Sequence, residues 1–256
     1  MKKLILALLF IACLSFQASA LGPMMLLSGT SNPCPPFYAD SGVVWSWDGN
    51  YPGSHNTACD SAGNPDVADT DAATTAAAYG ETGIGMLVEN AQEYLQWNQT
   101  AQQYLDETSA QTICVRMKVS PTIVDYTGIF KSANVSDQIL ITIKDDGSLI
   151  GYYSVTTGTD QTVYGATAPD SAWFTGAYSF DKPNLDHASN PGDNGTWGSG
   201  WDEQVNELND AMTNDLDDIT IGNNSTADPA EGDYVYIDKI AIVNGYKFDC
   251  STLTGW

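Results

Sequence analysis

The chain has 256 residues, 43% of them hydrophobic, with a formal net charge of −23 from 9 basic and 32 acidic side chains. That imbalance excludes nucleic acid as a partner, because phosphate contacts need clustered Lys and Arg, and it argues equally against an anionic membrane surface. It keeps the chain soluble and attracts divalent cations; adaptation to a salty medium, where screening relieves self-repulsion, accounts for it equally well.

At the N-terminus, Lys2 and Lys3 precede an apolar run, Leu4 to Phe16, too short to span a bilayer. Ala18-Ser19-Ala20 then supplies small residues for signal peptidase. Residues 1–20 are therefore expected to be a cleaved signal peptide and the protein to be secreted or extracellular, with the periplasm or cell surface as alternatives. Lipid attachment at Cys13 is the rival, with a poor lipobox before it. Cleavage removes two lysines and no acids, leaving 7 basic against 32 acidic residues and a net charge of −25. No later segment is apolar enough to be a membrane span. Residues 21–36 form an apolar, Pro-containing leader. Its first part, 21–33, reads either as a flexible lead-in or as an arm that docks on a neighbour by strand addition. Residues 37–256 fit one large domain.

Strand signals dominate that domain. Val43–Trp47 is β-branched and aromatic and ends at Asp48-Gly49. Trp45 and Trp47 share strand parity and are expected in the core. Ile113–Val119 alternates up to Pro121. Gln138–Lys144 and Leu149–Val155 flank Asp145-Asp146-Gly147-Ser148, a hairpin signal because Asp-Gly suits positive φ. Asp217–Gly222 and Tyr234–Val243 are the late strands. One short helix is expected at Asp202–Met212, where Val205, Leu208 and Met212 have helical spacing and acids open the segment. The polar stretches 54–83, 156–172, 181–200 and 222–233 read as long loops. The fold class expected is all-β, two antiparallel sheets packed as a jelly-roll sandwich.

Four cysteines remain after cleavage, Cys34, Cys59, Cys114 and Cys250. An even number in an exported chain points to two disulfides, in any of three pairings.

Catalytic patterns are scarce. No strand carries the Glu-x-Asp-x-Glu alternation that places a nucleophile and an acid on one face. Asp215-Leu216-Asp217-Asp218 reads as a solvated turn. One arginine, Arg116, is too few for an arginine cluster on a carboxylate substrate. His55 and His187 lie in polar surroundings without a Gly-x-Ser-x-Gly turn. Asp66, Asp69 and Asp71 lack calcium-loop spacing. Trp173, Trp197 and Trp201 are the candidate sugar-stacking residues. The last two sit in a Gly-rich loop, although packing is the competing role for all three.

A resemblance joins these pieces. Val43-Val44-Trp45-Ser46-Trp47-Asp48-Gly49-Asn50 followed by Asp60-Ser61-Ala62-Gly63-Asn64 is similar to the opening of laminin-G-like domains of the concanavalin A-like lectin/glucanase superfamily. Gly83–Val88, Glu93–Leu95 and Thr112–Lys118 resemble that family's next strands. Ile219–Asn223 with Tyr236–Ile242 resembles its closing pair. The likeness covers about residues 43–247. It implies a jelly roll with first and last strands side by side, and hence Cys34–Cys250 and Cys59–Cys114 as disulfides. It also implies a structural calcium at Asp48 and Asp238; the alternative is that Asp48 serves its turn and Asp238 faces solvent. The function implied is a non-catalytic secreted module that binds carbohydrate or a glycosylated surface, calcium-assisted. The alternatives are a structural subunit of an extracellular or virion-like assembly, self-associating through residues 21–33, and a glycan-degrading enzyme.

Overall fold

A computed structural model describes residues 34–50, 54–98, 101–105, 110–121, 127–133, 138–144, 148–154, 161–167, 169, 171–181, 186–190, 202–205, 216–223 and 233–256. The expected signal peptide, the leader through residue 33, the expected turn at 145–147, Trp197, Trp201 and residues 206–212 lie outside the described residues.

Seventeen strands are described: β1 (Val43–Asp48), β2 (Thr57–Asp60), β3 (Pro65–Val67), β4 (Thr70–Asp71), β5 (Thr74–Ala76), β6 (Gly85–Val88), β7 (Glu93–Trp97), β8 (Gln111–Val119), β9 (Thr127–Ala133), β10 (Gln138–Ile143), β11 (Ser148–Ser154), β12 (Gln161–Thr167), β13 (Trp173–Asp181), β14 (Asp186–Asn190), β15 (Asp202–Val205), β16 (Asp218–Asn223) and β17 (Val235–Asn244). One four-residue helix, α1 (Ala101–Tyr104), lies between β7 and β8. The strands form two antiparallel sheets. The first runs β15-β14-β13-β8-β17-β1-β2-β3, with β6 pairing the start of β17 and β5 pairing β6. The second runs β12-β11-β10-β9-β16-β7-β4. The chain is thus a β-sandwich, as its alternating apolar strands dictate.

The first and last strands lie side by side, with Val43 opposite Val243 and Asp48 opposite Lys239. Trp45 and Trp47 are fully buried between the sheets, where Trp45 meets Trp97 of the opposite sheet edge-to-face at 5.3 Å. Ile113, Val115 and Met117 of β8 and Ile240 and Ile242 of β17 share this core. The predicted hairpin exists as β10–β11, in register from Gln138 opposite Ser154 to Ile143 opposite Leu149.

The first sheet is covered on its outer face as well. Cys114, Ala177, Ala241 and Val243 point outward into a second apolar cluster with Phe37, Cys250 and Leu253. A bulge between Val43 and Trp45 explains how two residues of equal parity serve opposite faces. The closing segment, residues 246–256, lies over this face. Thr112 Oγ1 accepts from Phe248 N at 3.0 Å, and Trp256 Nε1 donates to Thr175 Oγ1 at 2.9 Å.

Three expectations are corrected. The disulfides are Cys34–Cys59 and Cys114–Cys250, not Cys34–Cys250 and Cys59–Cys114. The adjacency of β1 and β17 holds, but the segments outside them diverge. Cys34 turns toward β2, the outer neighbour of β1, while Cys250 crosses β17 to reach β8. Second, Asp202–Val205 is a strand paired with β14, where a helix was expected. An isolated short helix is marginal, and an open sheet edge offers backbone partners that outweigh local propensity. Third, stretch 54–83 holds four short strands, and 156–172 and 181–200 hold β12 and β14. Their Thr-, Ala- and Asp-rich sequences lack the apolar alternation that marks a core strand.

Candidate functional site on the outer face of the first sheet

The outer face of β13, β8, β17 and β1 is organised in rows that run across the strands. Ala177, Cys114 and Ala241 form a row sealed by the closing segment. The next row is Thr175, Arg116, Lys239 and Asp48, each directly opposite the next. The row beyond is Trp173, Lys118 and Tyr236. Trp256 donates to the middle row, so the closing segment seals the face up to it, and the members of the last row are all partly exposed.

The charged row is a locked network. Arg116 donates from Nε and Nη2 to the two carboxylate oxygens of Glu81, at 2.7 and 2.8 Å. This two-pronged geometry is the strong form of the interaction. Lys239 Nζ donates to Gly255 O at 2.7 Å and lies 3.7 Å from Asp238 Oδ2. Asp238 occupies a bulge between Ile237 and Lys239, fully buried. Its Oδ1 accepts from Glu81 N at 3.2 Å, while Oδ2 has no hydrogen-bond partner. Burial pushes the Asp238 carboxyl up to about 6 against the pull of Lys239, with Asp48 and Glu81 adding to the rise. Burial also raises Asp48, against its bond from Asn50 N and the field of Lys239.

Asp48 and Asp238 are therefore brought together, as the resemblance implies, and both are buried; Asp238 does not face solvent. Asp48 serves its turn too, accepting from Asn50 N at 2.9 Å. As a calcium site the set does not fit. Calcium takes six to eight oxygens, whereas here an ammonium group already stands beside the orphaned Oδ2 and Glu81 is spent on Arg116. Among the described residues no group of three or more His, Cys, Asp or Glu is placed to hold a metal.

The aromatic row is centred on Tyr236. Tyr79 stacks on it, with ring centres 5.4 Å apart and planes 14° apart, and Tyr234 lies 4.8 Å away at 39°. Lys118 Nζ sits 5.5 Å from the Tyr236 ring centre, within range of a cation–π contact. Burial raises the Tyr236 hydroxyl, with Tyr234, Tyr79 and Glu89 contributing. It stays protonated at neutral pH, a donor as well as an acceptor. Of the three candidate tryptophans, Trp173 belongs to this row. Lys118, Tyr236, Tyr79 and Tyr234 were not singled out from sequence. Strand parity was the available signal, since Lys118 lies between inward Met117 and Val119 and Tyr236 precedes inward Ile237.

The other polar candidates serve local structure. Asp60 accepts from Ala62 N, Asn64 N and Asn64 Nδ2 at 2.7–2.9 Å, so the Asp60–Asn64 motif is a self-bonded turn. Asp69 accepts from Asn98 N, and Asp218 from Gln96 Nε2. His55 Nε2 lies 2.9 Å from Asp71 Oδ2, and among the described residues no hydroxyl is bonded to its ring.

No protein-family model matches the chain, and no curated protein does. Solved structures match it. The botulinum neurotoxin serotype D binding domain superposes with a TM-score of 0.59 at 13% identity, over 86% of this chain and 50% of that one. The serotype D ligand-binding domain in complex with N-acetylneuraminic acid gives 0.57 at 14%, over 86% and 50%. The binding domain of Paraclostridial Mosquitocidal Protein 1 gives 0.58 at 11%, over 82% and 50%. The likeness is one of fold. The chain spans about half the length of each of these structures.

Proposed function

We propose that the chain is a secreted, non-catalytic module of laminin-G-like type that binds glycans through the open row of its outer sheet face. The observation that carries this reading is Trp173, Lys118 and Tyr236 standing abreast on three adjacent strands, with Tyr79 and Tyr234 bracing Tyr236, where the closing segment stops. Half-exposed rings fixed by a sheet offer a flat apolar surface to the C–H face of a pyranose, and the phenol hydroxyls and the lysine meet its rim. Solved structures of similar fold include a domain crystallised with N-acetylneuraminic acid, which adds support for a carbohydrate partner. Residues 1–20 as a signal peptide and the two disulfides support an oxidising, extracellular setting. The reading needs no calcium.

The test is retention of the oxidised protein on a broad immobilised glycan panel, once with calcium and once with EDTA. Retention on at least one glycan class, equal in both conditions, is expected. No retention on any glycan overturns the reading, and loss in EDTA alone returns a metal to the site.

A further inference from the structure

We propose that Lys118 makes the aromatic row selective for sugars that carry a carboxylate. The inference rests on the glycan reading above and deepens it. It starts from charge bookkeeping on one sheet face. Three cations face outward there, Arg116, Lys239 and Lys118, on two adjacent strands. The first two are neutralised within the fold. Arg116 is spanned by both oxygens of Glu81, and Lys239 is held by Gly255 O and Asp238. Lys118 differs. Among the described residues it has no carboxylate within ion-pair distance, and its ammonium leans on the face of Tyr236 instead.

An acidic protein has no shortage of carboxylates to pair a lysine. A lysine held against a ring keeps its charge available while its motion is restricted, so less freedom is lost when an anion arrives. Its neighbours suit the rest of an acidic sugar. Trp173 stands directly across one strand pair and Tyr236 across the other, a span of two strand spacings, about 10 Å. A sugar ring laid on this row puts its carboxylate against Nζ and its hydroxyls among the phenols. The global charge opposes such a ligand at long range, but beyond about 8–10 Å that repulsion is screened at ordinary salt, whereas a contact at Nζ is not.

The experiment measures affinity for 3′-sialyllactose, a glucuronic acid-containing disaccharide and neutral lactose by titration, in the wild type and in Lys118→Met and Lys118→Arg. The side chain is partly exposed, so both variants should fold, which their melting curves check. The wild type is expected to prefer the carboxylated sugars by about two- to fivefold, the size of one partly exposed ion pair. Lys118→Met should abolish the preference, lowering affinity for the carboxylated sugars to that for lactose, and Lys118→Arg should retain it. Equal wild-type affinity for charged and neutral sugars, or a preference that survives Lys118→Met, overturns this inference and leaves the glycan reading standing. Failure of all three saccharides to bind overturns this inference, and the glycan panel decides separately whether the wider reading falls with it.

Discussion

Asp238 shows what a single bulge does to one side chain. The extra residue in β17 buries a carboxylate beside Lys239, where one of its oxygens finds no hydrogen-bond donor. Its raised pKa has a consequence for stability. Below about pH 3.8 the carboxyl is protonated folded and unfolded, and it contributes nothing. As pH rises from there toward 6, the unfolded chain releases the proton and the folded chain keeps it, so stability falls. A shift of that size corresponds to about 3 kcal/mol, with the loss complete above pH 6. Asp238→Asn, which keeps an oxygen for Glu81 N, should flatten this slope. Urea unfolding at several pH values between 4 and 7.5 measures it; a variant as pH-sensitive as the wild type would show that Asp238 is not the group responsible. Residue-level legibility was uneven. Asp48 and Asp238 were found by position in a motif, and Trp173 as an isolated ring. Lys118 and Tyr236 look like ordinary outward residues until pairing sets them side by side, and pairing between strands so distant in sequence is not written in either strand.

At the scale of elements, the strands read correctly from sequence have an apolar core face, whereas β9 and β13, which bring Ile129, Phe130, Phe174, Tyr178 and Phe180 to the same core, were missed. β1, β8, β10, β11, β16 and β17 carry β-branched and aromatic residues in alternation, because one face must fill the space between the sheets. β3, β4, β5 and β14 carry Thr, Asp, Ala or Ser, and their pairing is decided by the sheet edge they meet. The disulfides could not be read for a related reason. Which strand flanks β1 and which flanks β17 decides where each cysteine arrives. The two bridges should contribute unequally. Cys114–Cys250 closes a separation of 136 residues and Cys34–Cys59 one of 25. On chain-entropy grounds the longer loop stabilises by about 1.5 kcal/mol more. Denaturant unfolding of the paired variants Cys114→Ala/Cys250→Ala and Cys34→Ala/Cys59→Ala compares them. The first pair should be the less stable, and the reverse order would assign the stabilisation to native packing instead.

For the molecule as a whole, one sheet does two jobs. Its inner face meets the second sheet across Trp45, Trp47 and Trp97; over β13, β8, β17 and β1 its outer face is covered by the chain's own final segment up to the row of Trp173, Lys118 and Tyr236. The inter-sheet core is where stability concentrates. Trp97→Ala removes the ring that meets Trp45 edge-to-face and should cost about 3–5 kcal/mol, read as a lowered denaturant midpoint. Lys118→Met, on the far side of the same sheet, should leave that midpoint close to the wild-type value. Fold class was legible because it follows from alternation repeated over many strands, each vote independent of the others. The binding row was not, because it belongs to the arrangement and to no single segment.

The bridge pattern also governs how the oxidised molecule responds to pulling. Cys34–Cys59 closes a loop that contains β1, and Cys114–Cys250 closes one that contains β17. A tether holding residue 34 and another holding residue 250 therefore cannot reel out either strand, but β1 and β17 belong to different rings, so the load falls on the seam between them. Only the stretch from Cys59 to Cys114 can lengthen under load, and it carries β3 to β7. The face with the open row is built mainly on strands within the second ring. A module of this design, pulled between those two points, would part its first strand from its last while Trp173, Lys118 and Tyr236, all within the second ring, stayed together and Tyr79, in the stretch that lengthens, left Tyr236.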